Sequence, residues 1–294
     1  MSIPAIASYS LNALEHGINN RVDWQINPSE AVLLIHDMQQ YFVDFFDENA
    51  EPIQTVVKNI QQIKLACKNA GIPIIYTAQP GDQSAEDRAL LTDFWGTGLK
   101  SNDAVTQILP LIAPENDDVV LTKWRYSAFQ RTDLKQLMDD WQRDQLIIVG
   151  VYSHIGCMQT AAEAFMSDIK AFMVSDAQAD FSPEEHQMAL TYTAGRCGSV
   201  TSTEQVLDAI NITQQAFSIP TSKTMLVEQI AQLLEIPDDE LTFEDSLLDF
   251  GLDSVRMMSL IADWQQDGLN MTFIELAAKP CLQDWWQLLE TKAA

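Results

Sequence analysis

The chain has 294 residues, of which 47% are hydrophobic and 20% are charged, and its formal net charge is −25. This length fits two domains at roughly 150 residues each, and the composition is that of a folded globular protein rather than a disordered or fibrous one. The excess of 42 acidic over 17 basic residues disfavours nucleic acid and anionic membranes as partners, because both attract clustered Lys and Arg.

The cysteines, histidines and apolar runs exclude further classes of protein. The four cysteines form no Cys-x-x-Cys pair, and the four histidines show no zinc-type His-x-x-x-His spacing. We therefore expect reduced thiols, no disulfide framework and no metal site. The first residues lack the regions of a signal peptide, and no apolar run reaches the ~20 residues that cross a bilayer. These features predict a soluble cytoplasmic protein.

The first two-thirds of the chain alternates short apolar runs with amphipathic segments. Apolar runs predict buried strands at 31–35, 72–77, 119–122, 146–149 and 171–174. Helical spacing predicts helices at 56–70, 134–141 and 160–168. Residues 195–198 (Gly-Arg-Cys-Gly) predict a turn before a helix. Alternating strands and helices predict an α/β fold, a three-layer parallel sheet with helices on both faces.

Polar residues stand just beyond the predicted strands, where parallel sheets bind their ligands. These residues are Asp37, Gln79, Lys123, Tyr152 and Asp176. A carboxylate directly after an apolar strand needs a partner, so a buried salt bridge between Asp37 and Lys123 is one interpretation of the pair. His36 and His154 are expected to satisfy hydrogen bonds within the core.

Residues 150–161 read Gly-Val-Tyr-Ser-His-Ile-Gly-Cys-Met-Gln-Thr-Ala, which predicts a strand, a sharp turn and the start of a helix. This arrangement is similar to the nucleophile turn of hydrolases, but Gly156 stands where the nucleophile is expected. Cys157 comes one residue later and is expected to point elsewhere. The pattern therefore indicates chemistry without a covalent acyl intermediate.

A change of composition at 218–222 (Ser-Ile-Pro-Thr-Ser) predicts a linker. The predicted organisation is a sheet domain at 1–215, a linker at 216–222 and a helical domain at 223–294. Within the last domain, helices are predicted at 226–234, 255–264 and 282–289, with an acidic turn at 237–240. Residues 222–294 include 14 acidic and 4 basic residues, so this domain is the more acidic of the two per residue.

The segment 249–254, Asp-Phe-Gly-Leu-Asp-Ser, stands directly before the second of these helices. Asp and Ser are favoured helix caps, and a helix N-terminus also favours an attached phosphate. In a short, acidic, all-helical domain the motif resembles the acyl and aryl carrier proteins of fatty-acid, polyketide and nonribosomal peptide synthesis. The resemblance covers roughly 224–289 and implies that Ser254, preceded by Asp253, carries a covalent 4'-phosphopantetheine.

The sheet domain resembles the isochorismatase superfamily of cysteine hydrolases. Their pattern is a strand-end Asp, a Lys, and a Cys within G-V-x-[TS]-x-x-C-x-x-x-T-A, to which Asp37, Lys123 and Gly156 correspond here. Loss of that cysteine is typical of the isochorismatase branch. With the carrier domain, the whole chain resembles the bifunctional isochorismatase/aryl carrier proteins of catechol siderophore biosynthesis, of the enterobactin and vibriobactin type. Segments 36–39, 77–80, 123–129 and 253–257 also carry this resemblance.

The resemblance implies an isochorismatase, which hydrolyses the vinyl ether isochorismate to 2,3-dihydro-2,3-dihydroxybenzoate and pyruvate. Protonation of the vinyl carbon gives an oxocarbenium ion that water traps, so one acid suffices. We expect Asp37 to be this general acid, since burial raises a carboxyl pKa, while a nearby Lys123 would lower it. Lys123 is expected to orient Asp37 and to bind a substrate carboxylate.

Other residues are predicted to bind this dicarboxylate. Arg88 and Gln79 are the expected carboxylate ligands, and the backbone around Tyr152 and Gly156 is expected to donate hydrogen bonds. Phe42, Trp95 and Tyr152 would form the wall against the ring. The missing cysteine side chain at position 156 is expected to leave room for the enolpyruvyl group or water.

The implied partners are a phosphopantetheinyl transferase, a 2,3-dihydroxybenzoate-AMP ligase and a condensation-domain synthetase, and a homodimer is expected. The carrier domain would tether 2,3-dihydroxybenzoate as a thioester. Three alternatives remain from the sequence. The first is an amidohydrolase of the nicotinamidase kind that uses Cys157. The second is a non-catalytic scaffold attached to a functional carrier, and the third is a helical docking module that is never modified.

Overall fold

In the part of the chain that the structure describes, six strands form one sheet, and every neighbouring pair is parallel. The strands are β1 (Ala31–His36), β2 (Ile74–Ala78), β3 (Val119–Thr122), β4 (Gln145–Val151), β5 (Lys170–Ala179) and β6 (Ser199–Thr201). Their order is β3-β2-β1-β4-β5-β6, so the direction of winding reverses between β1 and β4. All residues of β1 and β4 are buried, as expected when layers cover both faces of a parallel sheet.

The structure is a computed structural model that describes residues 4–14, 17–211, 217–234, 236–252 and 254–292. It divides into two compact units, Met1–Gln214 and Gln215–Ala294. In the part of the chain so described, no helix is long and apolar enough to cross a membrane. The predicted boundaries 1–215, 216–222 and 223–294 stay a prediction.

Nine α-helices are described in the first unit, and the larger ones form the layers on the sheet. They are α1 (Gln40–Val43), α2 (Ile53–Asn69), α3 (Ala85–Arg88), α4 (Leu91–Trp95), α5 (Asp103–Thr106), α6 (Leu134–Asp140), α7 (Met158–Met166), α8 (Pro183–Arg196) and α9 (Thr203–Asn211). Helix α2 packs against α9, α7 packs against α8, and all four contact β5. The apolar stripe Val56, Ile60, Ile63 and Cys67 explains why α2 lies on the sheet, since all four are fully buried.

The predicted fold class is confirmed, with three differences in detail. Strand β5 extends to Ala179, and the short strand β6 was not predicted. The turn predicted at 195–198 is wrong in its place, because Gly195 still lies in α8 and the segment leads into β6 rather than into a helix.

The second unit is helical and has its own core. Its α-helices are α10 (Lys223–Leu234), α11 (Ser254–Gln266), α12 (Phe273–Ala277) and α13 (Leu282–Lys292). Trp264 and Trp285 are fully buried at its centre, with their rings edge to face at 6.5 Å. Phe217 and Ile219, within the predicted linker, pack against this core.

Candidate active site

The carboxyl ends of the strands meet where the strand order reverses. Asp37 follows β1, and Tyr152 follows the neighbouring β4. Gln79 follows β2, and Lys123 follows β3 on the same side of the sheet. Ligands of open parallel sheets bind at such a reversal, so these side chains surround the expected position of a site.

Asp37 is held by three side chains. Lys123 Nζ donates to Asp37 Oδ2 at 2.9 Å, Thr77 Oγ1 donates to Oδ1 at 2.7 Å, and Gln79 Nε2 donates to Oδ2 at 3.3 Å. Asp37 and Lys123 are only 4% and 2% exposed, so this ion pair is buried. The φ angle of Asp37 is +49°, in a region that non-glycine residues adopt mainly where surrounding contacts impose it.

Electrostatics favour the ionised form of this acid. Burial is the largest single effect, and it raises the pKa of Asp37. The charge of Lys123 and the hydrogen bond from Thr77 act in the opposite direction and together outweigh burial, so the pKa lies below its usual value of 3.8. Of the two opposing effects that the sequence indicated, the raising of the pKa by burial is therefore outweighed once the lowering by Lys123 is joined by the hydrogen bond from Thr77. At neutral pH the carboxylate and the Lys123 ammonium form a charged pair.

A cavity of about 60 Å³ lies beside this pair. Every residue predicted for the site lines it: Asp37, Phe42, Gln79, Arg88, Trp95, Lys123, Tyr152 and Gly156. The elements that carry them are far apart in sequence, and the parallel topology brings them together.

Residues Ser153–Cys157 form a single π-helical turn between β4 and α7. The backbone N–H groups of Ile155, Gly156 and Cys157 all donate to the Tyr152 carbonyl. The Gly156 N–H is thus already bonded within the turn, and donation to a substrate from the backbone around Tyr152 and Gly156 stays a prediction. The Tyr152 hydroxyl is also engaged, since it donates to the Phe42 carbonyl at 2.6 Å.

Gly156 makes room for the His36 ring. A Cβ atom built on Gly156 would lie 2.0 Å from His36 Cε1 and 2.6 Å from His36 Nε2, far inside van der Waals contact. The expectation that the missing side chain leaves space for substrate or water is therefore wrong at this point. The imidazole occupies the place that a cysteine side chain would take.

We expect Gly156→Ala to lower the free energy of unfolding by about 1–3 kcal/mol, the usual effect of overpacking a buried site, because the new methyl group would displace the His36 ring. Gly195→Ala is the matched control, since a Cβ there meets nothing within 4 Å. Thermal unfolding of both variants tests this expectation. Equal melting temperatures would contradict it.

Cys157 has no access to the cavity. Its side chain is fully buried, and it is not among the residues that line the cavity. Burial raises the pKa of the Cys157 thiol well above its ordinary value. Because the thiolate is the nucleophile of cysteine hydrolases, this geometry disfavours an amidohydrolase that uses Cys157.

Arg88 brings a second buried cation to the cavity. It ends helix α3 and is 5% exposed; its Nε donates to the Gly96 carbonyl. Among the described residues, its Nη1 atom has no hydrogen-bond partner, and no carboxylate is among the groups that shift its pKa. Gly98 is needed beside it, since a Cβ there would lie 2.4 Å from Nη1. A buried guanidinium without a counter-charge suits an anionic ligand.

Several lining residues were not predicted as site residues. They are His36, Tyr41, Leu91, Leu99, Arg125, Tyr126, Val151, Ile155 and Phe181. Tyr126 accepts a hydrogen bond from Trp95 Nε1 at 2.8 Å, and Arg125 donates to the Asp87 carbonyl next to Arg88. Both belong to the segment 123–129, so proximity to Lys123 was the available signal.

The acid at the end of β5 is Asp180 rather than Asp176. Asp176 lies within the strand, where its carboxylate accepts hydrogen bonds from Thr203 N and Oγ1. Asp180 pairs with His154 at 2.6 Å, and the ligand atoms of His154, Asp180 and Glu185 lie within 4.8 Å of one another. This pairing raises the pKa of His154 despite its burial. The His154 ring therefore takes part in an ion pair with Asp180, close to the Phe181 ring.

Ser254 is the first residue of α11 and is exposed. The helix has 13 residues, so its first N–H groups are available to a phosphate attached to this hydroxyl. Asp253 lies outside the described residues. The position fits a bulky covalent group, because an exposed hydroxyl at a helix start is accessible to a modifying enzyme.

Comparison with known proteins identifies two domains in the chain. The sequence model of the Isochorismatase domain matches residues 31–205, and that of the Phosphopantetheine attachment site matches residues 225–289. The Isochorismatase of Bacillus subtilis (strain 168) is 50% identical, covering 100% of this chain and 97% of that protein. Enterobactin synthase component B of Escherichia coli (strain K12) is 48% identical, covering 98% of each. A solved cysteine hydrolase from Pseudomonas syringae pv. phaseolicola 1448A superposes with a TM-score of 0.60 at 25% identity, covering 65% of this chain and 97% of that one.

Proposed function

Since this chain belongs to the isochorismatase family and also carries a phosphopantetheine attachment domain, we propose that its cavity hydrolyses the vinyl ether of isochorismate without a covalent intermediate. The products are 2,3-dihydro-2,3-dihydroxybenzoate and pyruvate. One observation supports this mechanism above the others: Asp37 and Lys123 share the cavity with Gly156, while Cys157 is shut out of it. The residues that line the site include an acid and cations but no cysteine, serine or threonine.

The proposed reaction needs one acid and one water molecule. Asp37 donates a proton to the terminal carbon of the enolpyruvyl group, and the π electrons form the new C–H bond. Water adds to the resulting oxocarbenium carbon, which gives a hemiketal. The hemiketal breaks its bond to the ring oxygen, and pyruvate and the ring alcohol leave. The proton that Asp37 gave up is recovered from the water that was consumed.

Asp37 has to acquire its proton when substrate binds, because its pKa is depressed in this structure. Isochorismate carries two carboxylates, and like charge near a buried carboxylate raises its pKa. A substrate carboxylate that accepts a hydrogen bond from Lys123 also weakens the Lys123–Asp37 pair. Substrate binding is therefore coupled to proton uptake by Asp37.

Arg88 is proposed to bind a carboxylate of the substrate. We expect Arg88→Gln to raise KM for isochorismate about 10- to 100-fold, because this is the change in affinity that the loss of a hydrogen bond to a charged group causes. The melting temperature should not fall, because the variant removes a buried cation that has no counter-charge. Arg21→Gln, at an exposed position, is the matched control. An unchanged KM would contradict this role.

The remaining predicted residues complete the substrate site in this proposal. Gln79 orients Asp37 through its side-chain amide and adds a polar contact at the cavity wall. Phe42, Trp95 and Tyr152 enclose the ring from the apolar side. Tyr152 packs against Phe181 at 4.5 Å, which fixes the tilt of this wall.

The second unit is an aryl carrier domain in this proposal, and Ser254 is its attachment residue. When attached, 4'-phosphopantetheine supplies a thiol that holds 2,3-dihydroxybenzoate as a thioester for siderophore synthesis. The partners are a phosphopantetheinyl transferase, a 2,3-dihydroxybenzoate-AMP ligase and a condensation-domain synthetase. The acidic surface of the domain steers basic partner surfaces towards it. We also propose a homodimer and, from the four free cysteines, a cytoplasmic location.

The test is release of pyruvate from isochorismate by the full chain, followed through reduction to lactate. The proposal expects turnover by the wild type and by Cys157→Ala. Hydrolysis of an amide such as nicotinamide, lost in Cys157→Ala, would instead identify a cysteine amidohydrolase. No turnover of either substrate would identify a scaffold.

A further inference from the structure

His36 presents an unused hydrogen-bond acceptor at the cavity. The residue ends β1, its side chain is fully buried, and it lines the cavity beside Asp37 and Gly156. Its Nδ1 lies 2.8 Å from the Val151 carbonyl oxygen. A carbonyl only accepts, so Nδ1 carries the proton and Nε2 of the neutral ring carries a lone pair. Among the side chains that the structure describes, none is hydrogen-bonded to this buried Nε2, and the backbone carbonyl of Tyr126 is a second acceptor beside the ring.

The position of Nε2 matters as much as its lack of a partner. It lies 2.6 Å from the point where a side chain on residue 156 would begin, which is the place of the nucleophile in cysteine hydrolases. The other edge of the ring lies 4.0 Å from Asp37 Oδ2. An acceptor is thus fixed in the wall of the cavity, on the ring that lies next to the acid.

The protonation state of the ring suits a base. Burial, the largest effect, lowers the pKa of His36 to about 4, and Lys123 acts in the same direction. Asp37 and the backbone carbonyls of Val151 and Tyr126 act in the opposite direction and do not outweigh burial. At neutral pH the imidazole is therefore neutral and able to accept a proton.

We propose that His36 is a further catalytic residue, whose Nε2 binds the hydrolytic water and takes its proton as the water adds to the oxocarbenium carbon. This inference rests on the proposed function. The water oxygen forms the new C–O bond, and one of its protons moves to Nε2. When the hemiketal breaks, that proton goes to the departing ring oxygen, and the hemiketal hydroxyl proton returns to Asp37. Both residues end in their starting states.

The proposal predicts a change in the fate of the oxocarbenium ion. If water capture is slow, the ion loses a proton from its methyl group back to Asp37, and the C=C bond forms again. In D₂O this reversal places deuterium on the vinyl carbon of unreacted substrate. A residue with a purely structural role would slow turnover without causing this exchange.

The experiment compares wild type, His36→Phe and His36→Asn during partial conversion of isochorismate in D₂O. Phe keeps a ring against Gly156 but has no acceptor. Asn keeps a polar group that is a poor base, and it replaces the Phe variant if that variant does not fold. Recovered substrate is analysed by mass spectrometry and NMR, and pyruvate is trapped at once as lactate.

The wild type should leave recovered substrate free of deuterium. Both variants should lose about 100-fold in kcat, and their recovered substrate should carry vinyl deuterium. The matched control is His186→Phe: His186 is also buried, with an unpaired Nε2 and a pKa lowered to about 4, but it does not line the cavity. This control should behave as wild type.

Two results overturn the role of His36 and leave the hydrolase intact: variants with the wild-type kcat, or slow variants whose recovered substrate carries no deuterium. Absence of pyruvate release by the wild type would overturn the proposed function itself. The two failures are therefore distinguishable in one set of assays.

Discussion

Asp37→Asn is expected to lower kcat for isochorismate hydrolysis by about 100- to 10,000-fold, the range for loss of a general acid. The amide has nearly the same shape as the acid but donates no acidic proton. Pyruvate release measures the effect, and circular dichroism checks the fold, because the variant leaves the Lys123 ammonium buried without its partner. Asp44→Asn, an exposed acid outside the cavity, is the matched control. A rate for Asp37→Asn within tenfold of wild type would exclude Asp37 as the acid.

The sign of the Asp37 pKa shift also predicts a pH dependence. The free enzyme holds Asp37 with a pKa below its usual value, so its protonated fraction falls tenfold for each unit of rising pH. Therefore kcat/KM, which reports the free enzyme, should decline as pH rises through neutrality. In the complex the substrate carboxylates raise this pKa, so kcat should decline only at higher pH. A kcat/KM that rises with pH would contradict proton uptake by Asp37.

Ser254→Ala is expected to abolish modification of the carrier domain completely. With CoA and an active phosphopantetheinyl transferase, the wild type should gain the mass of one phosphopantetheine group, and the variant should gain none. Ser246→Ala, an exposed serine of the same domain, should still be modified. Pyruvate release should be equal in all three proteins, because Ser254 does not line the hydrolase cavity. An unmodified wild type would contradict the carrier assignment.

The sequence was sufficient for five of the six described strands and for Asp37 and Lys123 at their carboxyl ends. Continuous apolar runs predicted β1, β2, β3 and β4 because strands buried on both faces have no polar alternation. Because these strands are parallel, their carboxyl ends lie at the same edge of the sheet, so Asp37 and Lys123 were predicted to lie close together. Family matches over residues 31–205 and 225–289 confirm the resemblance to isochorismatases and carrier proteins that the motifs indicated.

The end of β5 shows what the sequence pattern could not give. A carboxylate at position 176 was interpreted as the end of the strand, yet Asp176 is accommodated within it because Thr203 of α9 satisfies its side chain. The strand therefore continues to Ala179, and Phe181 reaches the cavity. Such a partner, 27 residues away, has no local signal.

The role of Gly156 could also be assigned only from the three-dimensional structure. The sequence showed that a side chain was missing but not what occupies its place. The His36 ring fills that place because β1 and β4 are neighbours in register, with His36 opposite Gly150. The Asp37 pKa likewise depends on a distance of 2.9 Å to Lys123 that no sequence pattern contains.

The most direct test of the central claim is hydrolysis of isochorismate in H₂¹⁸O. Protonation of the vinyl carbon followed by water capture cleaves the bond between the enolpyruvyl carbon and oxygen, so the ring keeps its original oxygen. The account predicts that the ring diol contains no ¹⁸O and that pyruvate, trapped at once as lactate, contains the label. Appearance of ¹⁸O in the ring hydroxyl would mean that water attacks the ring carbon, which would contradict an acid-catalysed vinyl ether hydrolysis at Asp37.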